Sequence, residues 1–386
     1  MKWIVLFITI LVIEIIFLFS SLAPAVFSKH DTQKFEQDLE TKDIQYTFTL
    51  DDYYSDNAVL ESQVNKLYES LSKRQRIAEL LMPAVGSNGE SLVEVTRLIQ
   101  TDSIRGVMML GKGVNKNDIA KLKQTALLYS NSPLLVAIDA EPSLISSRLP
   151  ATGTIAKTST YDTIPKMQEV AGVISSFIKD YGFSLNFAPI YDINTNKAVI
   201  GSRSSGSTPE QAAPLANAFA ETSMSLGIIP TAKHFPGHGN VIGDSHKLLP
   251  VISNDLIELD SFKSAIAMGI PVIMTGHLAV EGGVYDTDGL PATLSSVIQK
   301  DLLRDELGFR GVVITDAFNM AALQNFSNNE LNSLRAGADI ILMPQSNIDT
   351  VIESVLRATE QDSSFEQEIE QKVKRVLRLK LTTPSI

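Results

Sequence analysis

Leu134-Leu135-Val136-Ala137-Ile138-Asp139 is an unbroken apolar run that ends on a carboxylate. A run that is apolar along its whole length, rather than at every second position, reads as a strand covered on both faces. Seven further runs share this character, at 80–85, 106–110, 185–188, 228–232, 272–274, 312–314 and 340–343. Most neighbouring pairs are separated by a stretch with helical spacing of apolar residues, for example 91–100, 117–129, 167–181, 209–226, 256–268 and 295–307. Eight buried strands alternating with helices predict an α/β fold in which a parallel sheet closes into a (β/α)8 TIM-type barrel, with an open doubly wound sheet as the alternative. A last amphipathic stretch, 365–380, carries Ile369, Val373, Val376 and Leu377 and is expected to pack on the outside.

The chain has 386 residues, 44% apolar and 20% charged, enough to bury one large core. That composition excludes disorder and a collagen-like fold. From about residue 60 to 381 the texture stays uniform, without a Gly/Ser-rich or Pro-rich linker, which predicts one domain over 59–386. A net charge of −11, with no concentrated block of Lys and Arg, argues against a nucleic-acid partner. The absence of cysteine excludes disulfides, thiolate metal sites, a thiol nucleophile and the acylated cysteine of a bacterial lipoprotein. Chemistry is left to carboxylates, hydroxyls, lysines and five histidines.

Residues 1–28 differ in kind. Lys2 precedes a run from 3 to 19 broken only by Thr9 and Glu14, and apolar character resumes over 22–27. As a helix, residues 3–27 would span roughly 37 Å at about 1.5 Å per residue, against a hydrocarbon core of about 30 Å. The segment reads either as a cleaved signal peptide or as a retained membrane anchor, and both predict an extracytoplasmic protein, secreted or tethered. Residues 29–58 are polar, acidic and without period, and read as a stalk.

A barrel places its active site where the C-terminal ends of the strands meet the following loops. Those exits carry Asp139, Asp192, Lys233 with His234, His277 and Asp316. Asp after a strand also suits a helix cap, so any one of them proves little, but five polar exits converging on one mouth carry more weight. The fifth exit is the most informative: Lys233-His234-Phe235-Pro236-Gly237-His238-Gly239, then four residues, then Asp244-Ser245-His246. Glycines at 237, 239 and 243 make the segment bendable. An Asp two residues before a His can orient the imidazole and raise its basicity, so that the pair gives and takes a proton near neutral pH.

This loop, running on to Pro250, resembles the signature loop of glycoside hydrolase family 3, in its β-N-acetylhexosaminidase branch. Further pieces match in the family's order: Ala188-Pro189 with Asp192, 199–204, Met274-Thr275-Gly276-His277, 291–295, 307–316 and Ala336-Gly337-Ala338-Asp339. The resemblance covers about residues 65–380. It implies a retaining, exo-acting β-N-acetylglucosaminidase that hydrolyses terminal N-acetylglucosamine from cell-wall-type glycans. Asp316 would be the nucleophile that forms a covalent glycosyl-enzyme, and His246 the acid/base, oriented by Asp244, on the other face of the sugar. Asp139, Arg203, Lys233 and His234 resemble the set that contacts hydroxyl and acetamido groups, a role suited to a carboxylate that accepts several hydrogen bonds and cations that donate several. His238 and His277 would support the loop and the barrel top. The reading is of a monomer that needs no cofactor or metal and whose partner is a carbohydrate.

One segment departs from the family pattern. Where the family reads Asp-x-Glu-Gly-Gly-Arg-Val with an arginine shortly beyond, this chain has Asp139-Ala140-Glu141-Pro142-Ser143-Leu144-Ile145-Ser146-Ser147-Arg148, without the glycines or the first arginine. Arg148 is the replacement on offer, and Ser205 stands near Arg203 where Phe is common. Two other readings stay open: a metal-dependent hydrolase built on His234, His238, Asp244 and His246, and a sugar-binding barrel with weak or no turnover.

Overall fold

The computed structural model describes residues 47–383, apart from 87–88, 112–113 and 242. The apolar segment 1–28 and most of the expected stalk lie outside the described residues. Among the described residues no helix is long and apolar enough to cross a membrane.

The folded unit begins earlier than the expected boundary at 59, which corrects the stalk assignment for residues 48–58. Phe48, Leu50 and Tyr53 are buried in the main core, and Asn57 caps the helix Ala58–Ser70 by accepting the Val59 and Leu60 N–H groups. From the closing helix, Arg378 reaches the Tyr53 and Ser55 carbonyls. Three apolar residues among many polar ones show no period; distant parts of the chain decide their burial.

In chain order the strands are β1 (Leu81–Met82), β2 (Ala84–Gly86), β3 (Gly106–Leu110), β4 (Leu135–Ile138), β5 (Leu185–Asn186), β6 (Ile229–Phe235), β7 (Val251–Ser253), β8 (Val272–Thr275), β9 (Ala279–Glu281), β10 (Val312–Thr315) and β11 (Ile341–Leu342). Seven of them form a curled, all-parallel sheet in the order β10-β8-β6-β5-β4-β3-β2. β1 pairs in parallel with β11, and β7 with β9, a small ribbon in the loops that the sequence did not suggest. Each of the eight apolar runs is found as strand. The first is divided at Pro83, which has no N–H to offer a neighbour, although its carbonyl still accepts from Met108 at 3.0 Å.

Helices cover the sheet because their apolar residues recur at three- and four-residue spacing. In Ile164–Tyr181 the buried stripe is Met167, Val170, Ala171, Ile174 and Ile178, and the helix ends at Gly182, whose φ of 96° suits a residue without Cβ. Pro209–Ser225 buries Ala212, Ala213, Ala216 and Ala220, small enough for close packing, and its Ser223 meets Ser175 of the preceding helix at 3.0 Å. The closing helix, Ser363–Leu381, buries the four apolar positions expected of it. Helices on the outside leave the strands' C-terminal ends to present their exit residues together.

Candidate active site

At those ends lies a cavity of about 390 Å3. Six of the seven residues predicted from sequence line it: Asp139, Arg203, Lys233, His234, His246 and Asp316. The seventh, Asp244, stands behind His246 and bonds to it.

One wall is a buried network of alternating charge. Lys233 Nζ lies 2.9 Å from Asp139 Oδ1 and 2.6 Å from Glu141 Oε1. Arg203 grips Glu141 with both prongs of its guanidinium, Nε to Oε2 at 2.9 Å and Nη2 to Oε1 at 2.7 Å. Burial pushes the Glu141 carboxyl up, but Arg203 and Lys233 outweigh it and hold it well below the usual carboxylate range. Burial likewise pulls Lys233 down, and Asp139 and Glu141 more than restore it, so Lys233 and Glu141 stay charged at neutral pH. Arg148 joins the cavity lining with Nη2 3.9 Å from Asp139 Oδ2, so the altered segment does return an arginine to the site.

A second carboxylate organises the histidines. Asp192, fully buried, accepts the His234 and His238 backbone N–H groups at 2.9 and 2.8 Å on Oδ1 and meets His234 Nδ1 at 2.6 Å through Oδ2. A third, Glu258, is 3% exposed and clamps the root of the next loop: Oε1 accepts from Gly239 and Asn240, Oε2 from Ile193. Burial and the Asp192 charge push its carboxyl up to about 8, with the three N–H groups pulling against them. A Cβ on Gly237 would come within 2.6 Å of Glu258, so the approach requires glycine there.

Asp316 follows β10 and faces the cavity. Its Oδ1 accepts the Ala317 N–H at 2.8 Å, yet no helix starts there; the next element is a single turn, Ala321–Leu323, so the residue is not a helix cap. Buried His277 holds the backbone beyond it, with Nε2 3.0 Å from the Ala317 carbonyl and Nδ1 2.8 Å from Thr293 Oγ1. Burial raises the Asp316 carboxyl, and His234, His277, the Ala317 N–H and Lys233 together hold it below its ordinary value. Its carboxyl is therefore ionised at neutral pH.

His246 is the opposite case, with a side chain 67% exposed. Its Nδ1 lies 3.0 Å from Asp244 Oδ1, which also takes its backbone N–H at 3.0 Å. The neighbouring Ser245 carbonyl accepts the Ala322 N–H at 3.2 Å, so the His246 loop is hydrogen-bonded to the loop that follows Asp316. That contact brings the two halves of the predicted pair to one cavity. Among the described residues, no group of three or more His, Asp or Glu side chains is placed to hold a metal ion.

The model of the family described as the glycosyl hydrolase family 3 N-terminal domain matches residues 72–379. The chain belongs to glycoside hydrolase family 3. This family 3 domain is 32% identical to beta-hexosaminidase A of Pseudoalteromonas piscicida over an alignment of 283 residues that covers 65% of this chain and 47% of that protein. A family 3 β-N-acetylglucosaminidase from Paenibacillus sp. superposes with a TM-score of 0.73 at 33% identity, covering 81% of this chain and 62% of that one. A β-N-acetylhexosaminidase from Beutenbergia cavernae gives 0.74 at 26%, covering 81% and 99%. The chain therefore spans about half the length of the first relative and less than two thirds of the second.

Glu141, Asp192 and Glu258 are the residues that sequence reasoning left off the site. The first two were visible as carboxylates beside strand exits. Glu258 gave no signal, because nothing local links it to a loop whose root lies some twenty positions earlier in the chain.

Proposed function

We propose that this family 3 domain is a retaining, exo-acting β-N-acetylglucosaminidase that removes terminal N-acetylglucosamine from cell-wall-type glycans. The observation that carries the reading is that Asp316 and His246 line one cavity, from loops bonded to each other, beside a charged wall suited to a polyhydroxylated ring. The names of the hexosaminidase relatives support the choice of sugar.

In this mechanism Asp316 attacks the anomeric carbon through Oδ2, the oxygen not held by Ala317. The bond from that carbon to the aglycone oxygen breaks as the His246 imidazolium gives up its proton to the leaving oxygen. Neutral His246 then takes a proton from water, which attacks the same carbon and frees Asp316. Asp244 holds the imidazole by Nδ1 and leaves Nε2 to carry the proton. The exposure of His246 fits an arm that closes when sugar arrives. Asp139, Lys233, Arg203 and His234 are read as the sugar-binding set.

We also read the curled sheet as a closed eight-stranded barrel. The β1–β11 pair and a bridge between Ile314 and Ile340 support this, since β1 runs into β2 across Pro83 and β10 is the far edge. Residues 1–28 are read as the export or anchoring segment of an extracytoplasmic enzyme.

The test is a panel of aryl glycosides run on wild type and Asp316→Ala. Turnover of the N-acetylglucosaminide by wild type, lost in the variant, is the expected result. Equal rates in both would remove Asp316 from the mechanism, and sugar binding without any wild-type turnover would leave only a binding barrel.

A further inference from the structure

A cleft of about 730 Å3 is lined by residues of two helices, Val297–Glu306 and Ser363–Leu381, together with Gly337. Beside it Asp339, which precedes β11, is fully buried and accepts the Val313 N–H at 2.8 Å near the start of β10. The cleft therefore lies toward the N-terminal ends of the strands, away from the catalytic cavity at their C-terminal ends.

Two guanidinium groups converge on Asp339: Arg304 Nη2 at 2.7 Å, and Arg375 through Nε at 3.1 Å and Nη2 at 2.8 Å. A third cation, Lys372, is only 2% exposed and lines the cleft, and among the described residues its ammonium has no hydrogen bond and no close ion pair. Arg375 Nη1 is likewise without a bond. Of the acids that line the cleft, Glu368 is engaged by Lys300 at 2.8 Å and Glu370 by Lys374 at 2.7 Å, and Asp305 is the third. Burial pushes Lys372 down to about 8, and Asp339 offsets this only in part. Lys372 and Arg375 thus leave unused donors turned toward a space large enough for a small molecule.

We propose that this cleft binds a phosphate-type oxyanion, with Lys372 and the free edge of Arg375 as its ligands. A tetrahedral oxyanion offers an acceptor to each donor at once and supplies the negative charge that Lys372 lacks.

The test is calorimetric titration of the full chain with sodium phosphate at pH 8, against sodium chloride at equal ionic strength. Saturable phosphate binding is expected, with proton uptake as the anion draws Lys372 back toward its ordinary value; the uptake shows as a heat that changes with the buffer's ionisation enthalpy. Lys372→Met should weaken binding by about tenfold, the loss of one charge-assisted hydrogen bond, and abolish the uptake. Arg375→Lys, which keeps a cation on Asp339 but removes the free guanidinium edge, should weaken it as well. Aryl-glycoside turnover should be unchanged in Lys372→Met, so the result is independent of the catalytic reading. Phosphate heats no larger than those of chloride, or equal binding by wild type and Lys372→Met, would overturn the site.

Discussion

The charged wall and the His246 loop meet at one cavity but are built in opposite ways. Lys233 and Glu141 are nearly inaccessible and locked by four short charge-assisted contacts, whereas His246 stands mostly in solvent, held by one carboxylate and a neighbouring backbone bond. A wall that recognises a ring gains from rigidity, since no reorganisation is needed when substrate arrives. A group that must give a proton to one oxygen and take one from another gains from an arm that moves. Asp192 and Glu258 mark the border between the two, fixing the loop up to Asn240 and leaving the segment with Asp244 and His246 less constrained.

Replacing Asp316 by Ala should break the comparison most severely, because in the proposed mechanism both wall and arm then act on a site without a nucleophile. The kcat is expected to fall by about 10^4- to 10^6-fold, with partial rescue by azide in place of the missing carboxylate. In wild type the acid limb of kcat/KM should lie below the ordinary aspartate range, following the depression of Asp316. His246→Ala, which removes the proposed acid, should cost about 10^2- to 10^4-fold on a poor leaving group and much less on a nitrophenolate, which departs without a proton. Equal losses on both aglycones would show that His246 is not the acid.

Disturbing the wall should appear in stability before rate. Glu141→Gln leaves Arg203 and Lys233 undercompensated in a buried place and should lower unfolding free energy by about 3 to 5 kcal/mol in denaturant titration. A loss no larger than that of a surface substitution would mean the wall is less rigid than its geometry implies. Glu258 sharpens the border through pH. Its folded-state carboxyl, raised from 4.5 to about 8, keeps a proton that the unfolded chain releases at lower pH. Its contribution is complete below the unfolded value and is lost as pH rises through about 8, so wild type should lose stability relative to Glu258→Gln across that window. Parallel stability curves would show that Glu258 does not titrate there. The smallest effect is expected for Asp244→Asn, about tenfold in kcat with KM little changed, as an oriented imidazole loses its charged partner.

The strands were legible because each is apolar on both faces, and the exits were legible because five of the runs end in Asp, Lys or His, more than helix capping alone would place there. Asp316 was separable from a helix cap only in three dimensions, where no helix follows it. The replacement segment after Asp139 was ambiguous in register, and the folded chain resolved it by setting Arg148 beside Asp139.

What the sequence alone determined is the alternation of buried strands with amphipathic helices and the identity of the polar residues at the strand exits, since both follow from spacing along the chain. What only the tertiary structure decided is which distant groups meet: Glu141 with Arg203 and Lys233, Glu258 with the backbone at the root of the His246 loop, and residues 48–58 within the core. Those pairings arise from distances across the folded protein, and ionised groups far apart in the chain leave no periodic mark of their partners.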